Sequence, residues 1–296
     1  MPRKRSTLAS AKGLTLIELL VALGIGALIL ALSLGLVLSN RQLYTLDQTR
    51  TALNQNLRAA LDLLGADIRQ AGERTPMDFP AVQVSSGNTL VLRRNLLDAV
   101  LTLCDRNGLQ AGSSQDVLFV ARRDHSPPPQ CLPQDGDGNG WDDRLEAFAR
   151  YRQENGGEVT LYLYDPTTGR GEFFPYDAED QSRFHIHRAR GRWTNDYPGN
   201  GTSRIYALEE RRYVLQDGLL HLILNGNAAA PLRLVDRVTG FSVAVRTQDG
   251  RTHTDFGSRG QRWTDVAAIL VEVTVQEGGR SRTLSGEYFP RNVLSQ

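Results

Sequence analysis

The chain has 296 residues, 40% of them hydrophobic, which is enough for two ordinary domains or for one large β-rich domain with an appendage. Its 34 Lys and Arg balance 33 Asp and Glu, so bulk charge favours neither a nucleic-acid polyanion nor an acidic partner. Only two cysteines occur, Cys104 and Cys131, and no Cys/His spacing points to zinc.

The even charge balance conceals a first forty residues unlike the rest. Residues 1–12 carry Arg3, Lys4, Arg5 and Lys12 and no acid, and residues 14–38 are apolar except for Glu18 and a few small polar side chains. Residues 19–38 carry no charge. About 20 helical residues at ~1.5 Å each match the ~30 Å hydrocarbon core of a bilayer. The basic flank predicts that the N-terminal end stays in the cytoplasm and that the bulk of the chain is exported. A cleaved signal peptide has a shorter apolar stretch and a small-residue cleavage site, whereas here the chain continues "SNRQLYTLDQ". A plain anchor fits the length but leaves Glu18 unexplained, because a carboxylate within the hydrocarbon costs roughly 2.5–3.5 kcal/mol and so requires a partner.

The stretch "KGLTLIELL" resembles the class III signal of type IV prepilins, which a peptidase cuts after a glycine on the cytoplasmic face, leaving the apolar stretch attached. The resemblance implies that Gly13 precedes the cut and that Leu14, standing where Phe or Met is usual, becomes an N-methylated terminus. It makes Glu18 the carboxylate that pairs with a neighbouring subunit's N-terminal ammonium. The pairing is physically coherent, since either charge alone is expensive in an apolar filament core. The implied partners are prepilin peptidase, an inner-membrane assembly platform, and other pilin or pseudopilin subunits. The implied location is a single pass of the inner membrane with the head in the periplasm or cell exterior, or assembled in a pilus or pseudopilus.

The helical pattern continues beyond the apolar run. Leu46, Leu53, Leu57, Leu61, Leu64 and Ile68 recur at threes, fours and sevens, with Arg50, Asn54, Arg58, Asp62 and Asp67 between them. An unbroken helix over 14–72 would be roughly 85 Å long, apolar all round in its first half and amphipathic in its second. Gly24, Gly26 and Gly35 would let the first half bend or partly unwind, and are also ordinary in membrane helices. "AGERTP" ends the helix, and the period then changes. "AVQVSSGNTLVLRR", "DVLFVARR", "EVTLYLYDPTTG", "RFHIHRA", "RRYVLQDGLLHLIL", "FSVAVRT" and "VAAILVEVTVQEGGRSRTLSGEYF" alternate apolar with polar residues between Gly, Asn and Asp turns. They predict antiparallel strands and hairpins. The expected fold is α+β, with a β-rich head over 73–296 whose sheet packs on the amphipathic half of the helix. The same downstream layout, from "LRAALDLLGADIRQAG" to "LSGEYFPRN", is similar to PilW-type minor pilins and to minor pseudopilins of type II secretion. A head this large is hard to tile along a filament, which favours a tip or initiation subunit.

Residues 104–146 read as an insertion. An exported head sits in an oxidising compartment, so Cys104 and Cys131 are expected to form a disulfide. A few residues on, "DGDGNGWDDRLE" fits D-x-[DN]-x-[DN]-G-x5-E over its full length. In that reading Asp135, Asp137 and Asn139 supply side-chain oxygens, Gly140 makes the sharp turn and Trp141 offers its backbone carbonyl. Asp143 acts directly or through water, and Glu146 closes the site with two oxygens. Hard oxygen ligands in this number suit Ca2+. The preceding "SPPPQCLPQ" cannot be a helix, so the loop stands alone and should bind weakly, on the order of 10⁻⁴ to 10⁻³ M. A solvated acidic turn is the competing reading.

Alternation places His185 and His187 on one strand face. Two same-face histidines can hold a metal, but with no recognisable third ligand an exposed strand face is expected. Arg188, Arg190 and Arg192, with Arg183 and Trp193, have the composition of a phosphate track with a stacking platform for DNA. Glu179 and Asp180 just upstream oppose that. No phosphate loop, nucleophile elbow or H-E-x-x-H occurs, and the chain is read as non-catalytic. The function expected is a structural subunit of a type IV pilus or related filament, the alternative being a membrane-anchored exported binding protein that does not polymerise.

Overall fold

The computed structural model of the chain describes residues 15–124, 126–257, 261–277 and 279–295. Contacts divide the chain into two units, one ending at Gln55 and one running Asn56–Gln296. Helix α1 (Leu16–Gln70) supplies the described structure of the first and opens the second. In chain order there follow β1 (Val82–Ser85), β2 (Thr89–Asn95), β3 (Leu101–Thr102), β4 (Val117–Phe119), α2 (Asp143–Glu154), β5 (Val159–Asp165), β6 (Arg170–Asp180) and β7 (His185–Arg188). After these come β8 (Arg204–Tyr206), β9 (Leu208–Gln216), β10 (Leu219–Leu224), β11 (Leu232–Val235), β12 (Val238–Thr247), β13 (Thr252–His253), β14 (Val266–Glu277) and β15 (Arg280–Tyr288). A long apolar N-terminal helix with antiparallel strands is the α+β, pilin-like arrangement expected.

The strands form three antiparallel sheets where one was expected, ordered β1-β2-β9-β10-β11, β3-β8-β5-β6-β7-β4 and β13-β12-β14-β15. The second sheet is the reason for the split, because it is covered on both faces. Along β5, Leu161 and Leu163 point into one core with Leu145, Phe148 and Ile186, while Tyr162 and Tyr164 point into the other with Phe79 and Tyr206. Phe79 meets Tyr162 and Tyr164 edge-on, at centroid distances of 6.3 and 5.1 Å. Strands β8 and β9 belong to different sheets although only Ala207 separates them, so the chain changes sheets at that residue. Residues 104–146 are no loose insertion either, since Leu109, Leu118, Val120 and Leu145 are buried in the second core.

The second half of α1 behaves as its period requires. Leu57, Leu61, Leu64 and Ile68 are buried among Val84, Leu90 and Leu92 of the first sheet and Val243, Val271 and Val273 of the third. Gly65 permits a close approach, since a Cβ there would fall 2.3 Å from the Tyr288 ring. Asp67 departs from the pattern. It is buried, and its carboxylate accepts from Arg211 Nη1 at 2.7 Å and from the Tyr213 hydroxyl, which offsets the cost of burying the charge. Burial, together with the neighbouring Asp67, pushes the Tyr213 phenol up. The helix stops at Gln70, followed by Gly72 at φ +79°. The Asn292 side chain then donates to the exposed carbonyls of Gln70 and Ala71 at 3.2 and 3.1 Å.

Turn chemistry placed the hairpins correctly. Asp217 and Gly218 both take positive φ in the two-residue loop joining Gln216 to Leu219, as that turn demands. Strand β6 was not among the expected strands. Pro175 sits in its middle, which argues against a central strand, yet the missing N–H falls beside a bulge between Tyr176 and Ala178 and the Pro175 carbonyl still accepts from Ala189. Helix α2 is not among the expected elements either; its first turn overlaps the end of the acidic loop.

Leu64→Ala should cost about 2–5 kcal/mol, read as a lower urea midpoint at unchanged slope. Leu46→Ala, on the same stripe but 41% exposed, should change the midpoint by less than about 0.5 kcal/mol. Equal losses at the two positions would contradict the packing described.

Candidate functional site

Three stretches carry candidate chemistry: the start of α1, the acidic loop with its disulfide, and strand β7 with the arginines after it. Gly13 and Leu14, the expected cleavage and methylation positions, and the basic leader lie outside the described residues. The described chain opens with a reciprocal cap. Thr15 Oγ1 accepts from Glu18 N at 3.3 Å, while Glu18 Oε2 accepts from Thr15 N at 3.0 Å and from Thr15 Oγ1 at 2.9 Å. Beyond it every residue over 16–38 except Gly26 is exposed, and this is the one described helix long and apolar enough to cross a membrane. The helix runs unbroken through Gly24, Gly26 and Gly35, and a Cβ at any of them would meet nothing within 4 Å. An apolar surface of this extent demands lipid or other helices around it.

The acidic loop folds around its own carboxylates. Gly138 and Gly140 take φ of +75° and +89°, conformations that favour glycine. Gly140 N donates to Asp135 Oδ2 at 2.9 Å, Gly136 N to Asp143 Oδ2 at 2.9 Å and Asn139 N to Asp137 Oδ1 at 3.1 Å. Carboxylate oxygens of Asp135, Asp137 and Asp143 consequently lie within 4.8 Å of one another. Glu146 joins them through Asn139, whose Nδ2 donates to Asp137 Oδ2 and to Glu146 Oε1 at 3.0 Å each. Trp141 N donates to Asn139 Oδ1 at 2.8 Å, and the Trp141 side chain is exposed. Of the six expected ligands, Asp135, Asp137 and Asp143 bring carboxylate oxygens together, while Asn139 turns its amide nitrogen toward Asp137 and Glu146 and its oxygen toward Trp141 N. The two adjacent aspartates divide the work: Asp143 faces the loop, while buried Asp142 caps α2 by accepting from Arg144 N and Leu145 N. Asp142 also takes Gln134 N at 3.0 Å and Arg144 Nη2 at 2.7 Å. An N-cap followed by "DRLEAFARYRQE" was the sequence signal for α2. Among the described residues, the segment leading directly into the loop carries a single 3-10 turn at Pro129–Cys131.

Cys104 and Cys131 form a disulfide with their Cα atoms 5.7 Å apart. The bond is buried and tied to the second sheet, since Cys104 N donates to Phe119 O and Arg122 N to Cys131 O.

The arginine stretch does not make a continuous basic surface. Arg188 is buried with its guanidinium 4.3 Å from the Trp193 ring centroid, and it donates to Gly191 O. Trp193 is itself buried and offers no face for a base to stack on. Arg190 is exposed but forms a two-bond pair with Glu158, at 2.7 Å each, that holds the Glu158 carboxyl below its usual range. Arg192 is exposed and donates to Gly112 O at 3.0 Å. The histidines also differ from the expected exposed face: His185 is buried and His187 half-buried, because β4 adds outside β7 and sets Phe119 edge-on against His185.

Residues 8–34 match the prokaryotic N-terminal methylation motif. The chain carries a prepilin-type N-terminus. The matched stretch takes in Gly13, Leu14, the Thr15–Glu18 cap and most of the exposed apolar run. A prepilin-type N-terminus implies processing by prepilin peptidase, anchoring through the apolar helix and assembly with other pilins. No curated protein and no solved structure matches the chain.

Under denaturing but non-reducing conditions the chain should take up no alkylating reagent, and after reduction it should take up two equivalents, at Cys104 and Cys131. Closing this loop is worth roughly 3–4 kcal/mol in the chain-entropy account, so reduction should lower the urea midpoint by a corresponding amount.

Proposed function

We propose that the chain is a structural, non-catalytic subunit of a type IV pilus or related pseudopilus, most like a PilW-type minor pilin, placed at the tip or in assembly initiation. The observation that carries this reading is the methylation motif running directly into a helix whose residues over 16–38 find no cover in their own chain. In the membrane that surface is solvated by lipid, and incorporation exchanges lipid for neighbouring helices. The Thr15 cap gives the Glu18 carboxylate two local donors while the subunit waits. In the filament a neighbour's α-ammonium at Leu14 replaces them with an opposite charge, which sets the axial register of the subunits. The large head, with three sheets and two cores, suits a position where it need not repeat along the shaft.

We further propose that residues 135–146 bind Ca2+ and thereby order the end of the cysteine-bracketed region. Support comes from the donor set. Asp135, Asp137 and Asp143 gather at one exposed place, and the Asn139 amide nitrogen links Asp137 to Glu146. Turning that amide to present Oδ1 would add an oxygen to a set of hard ligands. The resulting charge neutralisation would act beside the N-terminus of α2, whose last turn reaches the second sheet through Arg152 and Glu179.

N-terminal mass analysis of membrane-extracted protein should show the loss of residues 1–13 and an N-methylated Leu14, with Gly13→Val retaining the leader. In the same cells Glu18→Ala should insert in the membrane and be processed but fail to enter filaments. An intact leader on the native chain, or normal incorporation of the alanine variant, would sink the reading.

Terbium bound to the full-length protein should be sensitised by Trp141 and displaced by millimolar Ca2+. Double substitution of Asp135→Ala and Asp137→Ala should abolish the emission, and emission that persists in the double variant would return the loop to being an acidic turn.

A further inference from the structure

We propose that His185 and His187 form a chelating site for a divalent transition metal, with copper(II) preferred over zinc. The two side chains share the face of β7 that Val117 and Phe119 flank on one side and Ala178 and Asp180 on the other. Their Nε2 atoms lie 3.0 Å apart, with ring centroids at 4.8 Å and planes 70° apart. One hydrogen fits between two nitrogens at that distance, so at least one lone pair is always directed into the gap.

Two bonds of about 2.0–2.1 Å span about 2.9 Å at a right angle and about 3.3–3.4 Å at a tetrahedral one, and both spans are close to the 3.0 Å between the two nitrogens. The preference comes from the donor type: among first-row divalent ions an imidazole site binds copper(II) most tightly. A modest turn of each ring about its Cβ–Cγ bond directs both lone pairs to one point on the side where His187 is half-buried and Phe119 36% exposed.

The neighbouring carboxylates do not complete the shell. Burial opposes the charge of Glu179, but Arg152, at 2.8 and 2.9 Å, and the Tyr176 hydroxyl hold that carboxyl below its usual range. Asp180 accepts from Ser182 Oγ at 2.6 Å and from Arg183 N at 3.1 Å. Water therefore fills the remaining positions, and the site stays open to an exogenous ligand. His185 Nδ1 is buried with no hydrogen-bond partner, so the outer hydrogen bond that ordinarily tightens a histidine ligand is missing. The affinity expected is that of a two-point chelate rather than of a closed structural centre.

The test uses the full-length protein in detergent, stripped of metal and titrated with copper(II) sulfate near neutral pH. Electron paramagnetic resonance should show one axial copper signal per chain with hyperfine coupling to two nitrogens. His187→Gln, at a half-buried position that tolerates change, should abolish the two-nitrogen coupling and weaken copper binding at least about tenfold, while His253→Gln should leave both intact. His185→Gln should match His187→Gln if it folds, as judged by circular dichroism and the protected disulfide. Absence of a two-nitrogen signal, or its survival in His187→Gln, would overturn the site, and displacement of copper by an equal concentration of zinc would overturn the preference.

Discussion

An apolar helix surface left exposed over residues 16–38 governs the rest of this molecule. Over residues 16–38 the side chains of α1 face outward in every direction. Water would penalise each of them, by up to a few kcal/mol for a fully exposed leucine. The first half of the helix is therefore defined by an environment that other molecules, lipid or other helices, must supply. Glu18 has meaning only under that constraint. In water a capped glutamate at a helix start is unremarkable chemistry, but within an apolar layer it needs a positive partner.

The second half of α1 solves the opposite problem. Leu57, Leu61, Leu64 and Ile68 are enclosed by two sheets of the same chain, and the helix becomes the spine of the head. Charged groups admitted to this core are paired, Asp67 with Arg211 and Tyr213, and Arg93 with Glu210 at 2.7 Å. The second sheet extends the head by presenting tyrosines to this core and leucines to another. That two-faced strand lets a region resembling an insertion become a structural layer, stapled by Cys104 and Cys131.

The acidic loop and the histidine pair bring donor atoms together by two different backbone devices. In the loop, backbone N–H groups draw exposed carboxylates together. On β7, where a three-residue edge strand is added, two imidazole rings lie at hydrogen-bond distance. Oxygen donors in general suit hard ions and imidazole nitrogens suit borderline ones, and in both places it is the backbone that spaces the side chains.

Sequence by itself determined everything that rests on local period and local charge. The basic leader, the uncharged run of helical length, the Gly13–Glu18 signal, the amphipathic stripe and the Asp217–Gly218 turn are fixed by neighbours within a few positions. The order of donors in the acidic loop was legible for the same reason. Tertiary structure alone decided what depends on partners far along the chain. Asp67 was assigned to the polar side because its partners, Arg211 and Tyr213, are more than a hundred residues away. Pro175 concealed β6 because only a bulge against β7 makes a proline acceptable there. Arg188 and Trp193 had the composition of a binding surface, yet they stack on each other inside the head. Composition records which side chains are present, whereas burial is set by the layers folded over them.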